Sequence, residues 1–400
     1  MEEKLFLPNR DDFAAYITPT IGNFGPGPCG FTNNPGTALS KDLADCFFMT
    51  NQQNQIRVFK FLPIGASFTF EELKPIKGGI GNTGLAVGPD GALYSASWGS
   101  GKGFIFRFDT ESEKDQHPAR AETQKRLGLK SNEQSIETLG LWLDSPDQRV
   151  RMKAQFELVR RGAQGMSAFK EKLDSGTLLG QLHAIWGIGM ASRKDPSMLK
   201  YLKTAWSSNN AEVIAQAAKV SGDLGQPSKQ YKEELINGLN HENDRVKFFS
   251  AIALGNNKIQ GASEKIVRLI SEQGSKDPYI RHAGSMALSG TMNADEISKL
   301  SNNPSKSVKL AAIVAMRRIA SPEIRAFLKD DDELILLEAA RAIHDDQSIP
   351  EALPDLAAVL NRKGLKNEAL IRRALNAALR TGSGSDLDLL ANYIHTDIVS

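Results

Sequence analysis

A mainly α-helical solenoid of stacked helix pairs, preceded by a partial antiparallel β region, is the fold this sequence predicts. Three observations predict it. A helical unit returns about every 32 residues from Asp147 onward, capping side chains recur at a fixed offset inside that unit, and the first quarter of the chain is instead turn-rich, aromatic and alternating.

The repeat is plainest in Asp147-Gln-Arg-Val150-Arg151. Branched or leucine markers fall at Val150, Leu179, Val213, Val246, Ile280, Val308, Ile335 and Ile371. Three residues ahead of them stand Asp147, Gly176, Asn210, Asn243, Asp277, Ser305, Asp332 and Glu368. Nearly all carry an oxygen that accepts from the free amides of a helix start, so these positions read as N-caps. Small residues such as Ala154, Ala217, Ala251, Ala283, Ala312, Ala339 and Ala374 let a neighbouring helix come close. Phe156, Leu158, Ile252, Leu254, Met286, Leu288, Ile313 and Ile343 supply the buried face.

A shorter helix precedes each capped turn, at Ile136 to Leu143, Met166 to Leu173, Met198 to Trp206, Tyr231 to Leu239, Ser263 to Ile270, Asp295 to Leu300, Glu323 to Leu328 and Leu353 to Leu360. One antiparallel pair cannot cover its own apolar face, so the pairs stack and each is stabilised by its neighbours. Residues 133–400 are therefore expected to form a HEAT-like array.

Residues 1–109 read as β structure. Short strands are expected at Cys46 to Thr50, Gln55 to Phe61, Ala66 to Leu73, Gly84 to Val87, Ala92 to Ser97 and Gly103 to Phe108. Gly88-Pro89-Asp90-Gly91 joins two of them as a tight turn, with proline presetting one φ and glycine accepting a positive one. Residues 110–132 are polar and make a junction, with helix-forming Ala119 to Leu127.

The chain has 400 residues, is 40% hydrophobic and carries a formal charge of +2, so bulk charge argues for neither nucleic acid nor a membrane surface. Cys29 and Cys46 are its two cysteines, too few for a disulfide framework or a cysteine-rich zinc site, and one bridge between them stays open. MEEKLFLPNRDD lacks the basic start and apolar run of an export signal. The uncharged stretch Phe13 to Ser40 is broken by four prolines and by glycines, so no membrane span is expected.

Motifs that suggest chemistry have plainer explanations. Gly79-Ile80-Gly81-Asn82-Thr83-Gly84 matches the dinucleotide fingerprint in letters, but that fingerprint opens a helix and here a strand follows. Gly99-Ser100-Gly101-Lys102-Gly103 lacks the hydroxyl after lysine and the helix of a phosphate loop. His183, His282 and His344 fall near equivalent helical positions in different repeats, where a zinc site would need three or four ligands converging. Neither cysteine has a histidine beside it in sequence, so no catalytic residue and no metal ligand is assigned.

A basic ladder is the candidate binding feature. Arg151, Lys247, Arg281, Lys309 and Arg372 each follow a marker, so stacking would align them along one face. Such a row could grip an acidic partner. The favoured reading is that each one pairs with an acid of the adjacent repeat.

The segment GLAVGPDGALYSASW from Gly84 to Trp98, followed by GKGFIFRF from Gly101, resembles the last blade of a glucose/sorbosone dehydrogenase-type β-propeller. Gln155-Phe156-Glu157-Leu158, LHAIWGIG from Leu182, AQAAKVSGDLG from Ala215 and RVKFFSAIALG from Arg245 resemble the HEAT segment that follows it. So do ARAIHDDQSIPEALPDLA from Ala340 and ALIRRALNAALRTG from Ala369. In order, these blocks resemble the bacterial membrane-bound dehydrogenase, or heme-binding-domain, family across about Gly22 to Thr381.

The resemblance implies one to two propeller-like blades here and, in a full-length member, a quinone (PQQ) and calcium on earlier blades and heme c on a later module. No Cys-x-x-Cys-His occurs in this chain, so a fragment or truncated member is expected. Ser97 and Asn51 stand where the family usually has acids, and no cofactor-binding residue can be carried over. By resemblance the protein is periplasmic. The expected function is an interaction scaffold, holding a protein partner or other domains of the same polypeptide, within an exported redox protein. The alternatives are a piece of a quinone-dependent sugar or alcohol dehydrogenase with a heme c acceptor, and a solenoid binding an acidic partner or nucleic acid, the last disfavoured by the near-neutral charge.

Overall fold

A computed structural model describes residues 14, 16–22, 27–51, 54–79, 81–98, 101–345, 349–382 and 384–394. The chain divides into two compact units, Ile21–Pro227, and Met1–Thr20 with Ser228–Ser400. These boundaries differ from the sequence-based 1–109, 110–132 and 133–400, because the β region packs together with the first helix pairs.

In the unit Ile21–Pro227, seven strands form two antiparallel sheets. Strands β1 (Gly30–Asn33), β2 (Phe47–Thr50), β3 (Gln55–Ile64) and β4 (Ser67–Lys77) make one in simple meander order. Strands β5 (Asn82–Val87), β6 (Leu93–Ser97) and β7 (Phe104–Phe108) make the other. β1 was not predicted, since four residues flanked by glycine and asparagine are too short to show alternation. Buried Cys46, Phe48, Ile56, Val58 and Leu93 form the core between the sheets. The turn before β6 is as predicted: the Gly91 amide donates to the Gly88 carbonyl at 2.9 Å, and Gly91 has φ +78°.

The helices of this unit are α1 (Arg120–Gly128), α2 (Ile136–Leu143), α3 (Gln148–Arg160), α4 (Met166–Ser175), α5 (Leu178–Ser192), α6 (Lys203–Trp206) and α7 (Ala211–Leu224). Asp147 caps α3 through the Arg149 amide and also ties it to the β region. Its carboxylate accepts from the Thr37 hydroxyl at 2.6 Å and from the Arg149 guanidinium, which reaches the Gly88 carbonyl at 2.7 Å. The junction is clamped as well. Lys153 donates to carbonyls at the C-terminal end of α1, and Arg161 donates to the Gln134 carbonyl at 2.6 Å.

In the other unit the helices are α8 (Lys232–Gly238), α9 (Asp244–Asn256), α10 (Ser263–Gln273), α11 (Pro278–Thr291), α12 (Ala294–Ser298), α13 (Lys306–Arg318), α14 (Glu333–His344), α15 (Leu353–Ala358), α16 (Glu368–Thr381) and α17 (Gly384–Ile394). The long second helices α9, α11, α13, α14 and α16 pack on one another in sequence to form a layer. Between α9 and α11 the backbones touch: a Cβ on Gly290 would stand 2.1 Å from the Gly255 carbonyl oxygen. Of the first helices, α8, α12 and α15 are shorter than expected, α10 runs past Ile270 to Gln273, and Pro322–Lys329 is 3-10 rather than α. Proline at the start and few residues between apolar anchors favour that tighter winding. The fold is a HEAT/armadillo-like α-solenoid of helix pairs with a small antiparallel β region.

The capping register needs two corrections. Thr177, not Gly176, caps α5, because only threonine has an oxygen to accept from the Gly180 amide. Asn367, not Glu368, caps α16 through the Leu370 amide. Both shifts move the marker by one: Leu179 is 45% exposed, while Leu370 is fully buried. At Ser305 the helix starts as expected without a side-chain cap bond. Phe156, expected in the core, is exposed, because it lies on the side of α3 opposite Ala154 and Leu158.

Candidate interaction surface

The ladder residues sit low in the helix layers rather than on an open face. Arg151 is buried and donates to the Ser145 carbonyl at 2.6 Å. Lys247 pairs with Asp244 at 2.8 Å, and Lys309 pairs with Asp330 at 2.6 Å. Arg281 is fully buried and donates to the Gly274 carbonyl. Arg372 is the exception, exposed beside Glu368, because the corrected cap places it one position past the others. Most of the ladder thus braces its own or the next helix pair.

The histidines do not converge. The corrected caps put His183 and His282 at different offsets, and His344 near the end of α14. His183 Nδ1 lies 2.7 Å from Gln155 Oε1, with the ring edge-on to Trp186. Burial, with Arg151 adding, pushes its pKa down to about 3, so it is neutral. His344 lies against Asp345 at 2.9 Å and Asn376 at 2.8 Å. Among the described residues no group of three His, Cys, Asp or Glu side chains could hold a metal ion. Both cysteines are free, Cys46 buried and Cys29 exposed. No described helix is long and apolar enough to cross a membrane. Ile80, Gly99, Ser100, the stretch Asp346 to Ser348 and the ends of the chain lie outside the described residues.

A different surface emerges in the unit Met1–Thr20 with Ser228–Ser400. Residues 16–20 form an irregular segment, bent at Ile17, that lies against the second-helix layer. The Tyr16 hydroxyl donates to the Glu338 carbonyl on α14 at 3.4 Å, and the Arg317 guanidinium of α13 stands over the Tyr16 ring, 4.5 Å from its centroid. Thr18 Oγ1 lies 3.4 Å from Nε2 of His282 on α11. Ala14 and Pro19 are buried, whereas Ile17 is 51% exposed. The segment therefore crosses the helices from α14 to α11, against the order of the repeats.

Beneath it lies a charged floor. Glu338 is fully buried and bonded to Arg341, and Arg373 holds Asp345 with bonds of 2.9 and 2.7 Å. Burial pushes the Glu338 carboxyl above the usual carboxylate range, against the opposing Arg341 guanidinium and Tyr16 hydroxyl. Burial likewise pushes the Tyr16 phenol upward, with Glu338 adding and Arg317 opposing, so it remains a neutral donor. Sequence reasoning missed Tyr16, Arg317, Glu338 and Arg341. The one available signal was Glu338-Ala-Ala-Arg341, an acid and a base three apart inside an otherwise apolar helix. A surface cleft of about 780 Å³ is lined in part by Lys299, Lys309, Lys329, Asp330 and Asp331, whose charges largely offset.

No protein-family model matches the sequence, and no curated protein does. Solved structures do. An archaeal HEAT-like repeats protein from Thermococcus onnurineus NA1 is 15% identical, with 65% of this chain and 98% of that one covered and a TM-score of 0.31. A designed armadillo repeat protein is 19% identical, covering 64% and 100%, with a TM-score of 0.25. A second designed armadillo repeat protein, in complex with the peptide (KR)4, is 18% identical, covering 65% and 98%, with a TM-score of 0.16. At such TM-scores the likeness adds nothing to what the stacked helix pairs themselves establish.

Proposed function

We propose that this chain is an interaction scaffold whose second-helix layer holds an extended segment of a protein partner. The observation that carries this reading is the segment over α11, α13 and α14: the layer already accommodates a non-helical segment remote in sequence, offering an arginine face, a carbonyl and a histidine to its side chains. Catalysis is not part of the reading. Polyanion binding is disfavoured, because Lys247 and Lys309 of the ladder already have acidic partners and Arg151 and Arg281 are buried against carbonyls.

Panning a random peptide library against the immobilised full chain tests it. Enriched peptides should lose binding when Arg317→Ala or His282→Ala is introduced, and should tolerate changes on the first helices. The reading fails if no peptide is enriched, or if the chain instead binds a polyanion with the steep salt dependence of counterion release.

A second reading places the scaffold in an exported redox assembly, with PQQ, calcium and heme c bound elsewhere. It is favoured by the fact that the segment carrying the dehydrogenase resemblance forms the meander β5 to β7 around the Gly88–Gly91 turn. Recovery of the tagged chain from the periplasm with a heme-staining polypeptide would support it; recovery from the cytoplasm alone would remove it.

A further inference from the structure

We infer that the second-helix layer of the unit Met1–Thr20 with Ser228–Ser400 reads a segment of the form Tyr-x-Thr-Pro, and that residues 16–19 occupy it in cis as a displaceable strap. This rests on the scaffold reading and names what the scaffold recognises. The backbone bends at Ile17 and turns that side chain to solvent. Tyr16, before the bend, meets α13 and α14 through Arg317 and Glu338, and Thr18, after it, meets α11 through His282.

Each position has a physical reason. Tyr16 is read at both ends, by Arg317 over the ring face and by the Glu338 carbonyl, which accepts from the hydroxyl. Thr18 supplies a hydroxyl to His282. Pro19 is buried and brings no amide that would need a partner. The floor of Glu338, Arg341, Arg373 and Asp345 is charged rather than apolar. It gives direction and selectivity to a bound segment more than it gives hydrophobic stabilisation.

A segment held in cis competes with any outside ligand at an effective concentration of about millimolar for a short linker. The strap therefore sets a threshold: a partner must present the same pattern more tightly, or in several copies, to displace it.

The test uses the full chain with a site-specific protease sequence inserted after Gly27, so that the strap can be cut without changing the helices. The probe is a fluorescent peptide with the sequence of residues 12–22. After cutting and gel filtration, the chain should release its own segment and bind the probe at least tenfold more tightly than the uncut chain does. A probe carrying Tyr16→Ala should bind at least tenfold more weakly, and so should the wild-type probe to a cut Arg317→Ala chain. Uncut chain carrying Tyr16→Ala should also bind the wild-type probe more tightly. The inference is overturned if the cut segment never leaves or exchanges, which would make it a fixed part of the core. It is equally overturned if the emptied chain binds neither probe, or both alike. Either failure leaves the scaffold reading to the library experiment, where peptides of another pattern would still be enriched.

Discussion

His183 and His282 both stand on second helices of the solenoid, yet their surroundings differ in kind. His183 is closed in by its own neighbours, with Gln155 on one ring nitrogen and Trp186 against its edge. His282 turns to Thr18 of a segment remote in sequence. The same contrast holds for the arginines: Arg149 and Arg161 clamp backbone carbonyls of the β region and junction, while Arg317 lies over the ring of Tyr16. In both units polar groups of the layer fasten the helices, and in the unit Met1–Thr20 with Ser228–Ser400 Arg317 and His282 also hold a segment remote in sequence. A repeat fold can put one architecture to both uses, because each helix pair supplies the same stacking and differs only in a few side chains.

The largest expected effect breaks the closed side of this comparison. The folded pKa of His183 is depressed from about 6.5 to about 3, so between those values the unfolded chain binds the extra proton. Stability is then full above about pH 6.5 and falls as pH drops toward 3, by about 5 kcal/mol from this residue. Urea titrations across that range should show the loss, and His183→Gln should flatten it. Glu157, held at about 2 chiefly by Arg160 and then by Arg161, acts in the same direction below pH 4.5.

Next comes the latch. Asp147→Ala removes a fully buried carboxylate that caps α3 and pairs with Arg149, and should cost about 3–5 kcal/mol. A measured loss below about 1 kcal/mol would mean that the β region is not fastened through this residue. Smaller again is Gly290→Ala, which forces α9 and α11 apart and should cost about 1–3 kcal/mol. Gly128→Ala, with open space around it, should be neutral or better, and the two can be compared by thermal denaturation. Smallest is Arg317→Ala, which should leave global stability nearly unchanged and weaken only the strap, by about 1.4 kcal/mol or somewhat more. Amide exchange at Tyr16, Ile17, Thr18 and Thr20 should then quicken about tenfold.

The helix pairs were legible because stacking imposes a period that any sequence must obey: Asp147, Asn210, Asn243, Asp277 and Asp332 cap where their spacing predicted. The register slipped at Gly176 and Glu368, where a better acceptor stood next door in Thr177 and Asn367. β3 and β4 ran longer than predicted, since their hairpin continues past the last alternating residues into Pro63 and Lys77. The surface at Tyr16 was not legible at all. Its members lie hundreds of positions apart and obey no period, and the basic residues that did obey one are mostly occupied in bracing the helices.

Replacing Tyr16 by a photoreactive benzophenone amino acid in the full chain, followed by irradiation and peptide mapping, tests the central claim most directly. The account predicts cross-links to α13 and α14, around Arg317 and Glu338. Cross-links confined to other helices, or none above background, would contradict it.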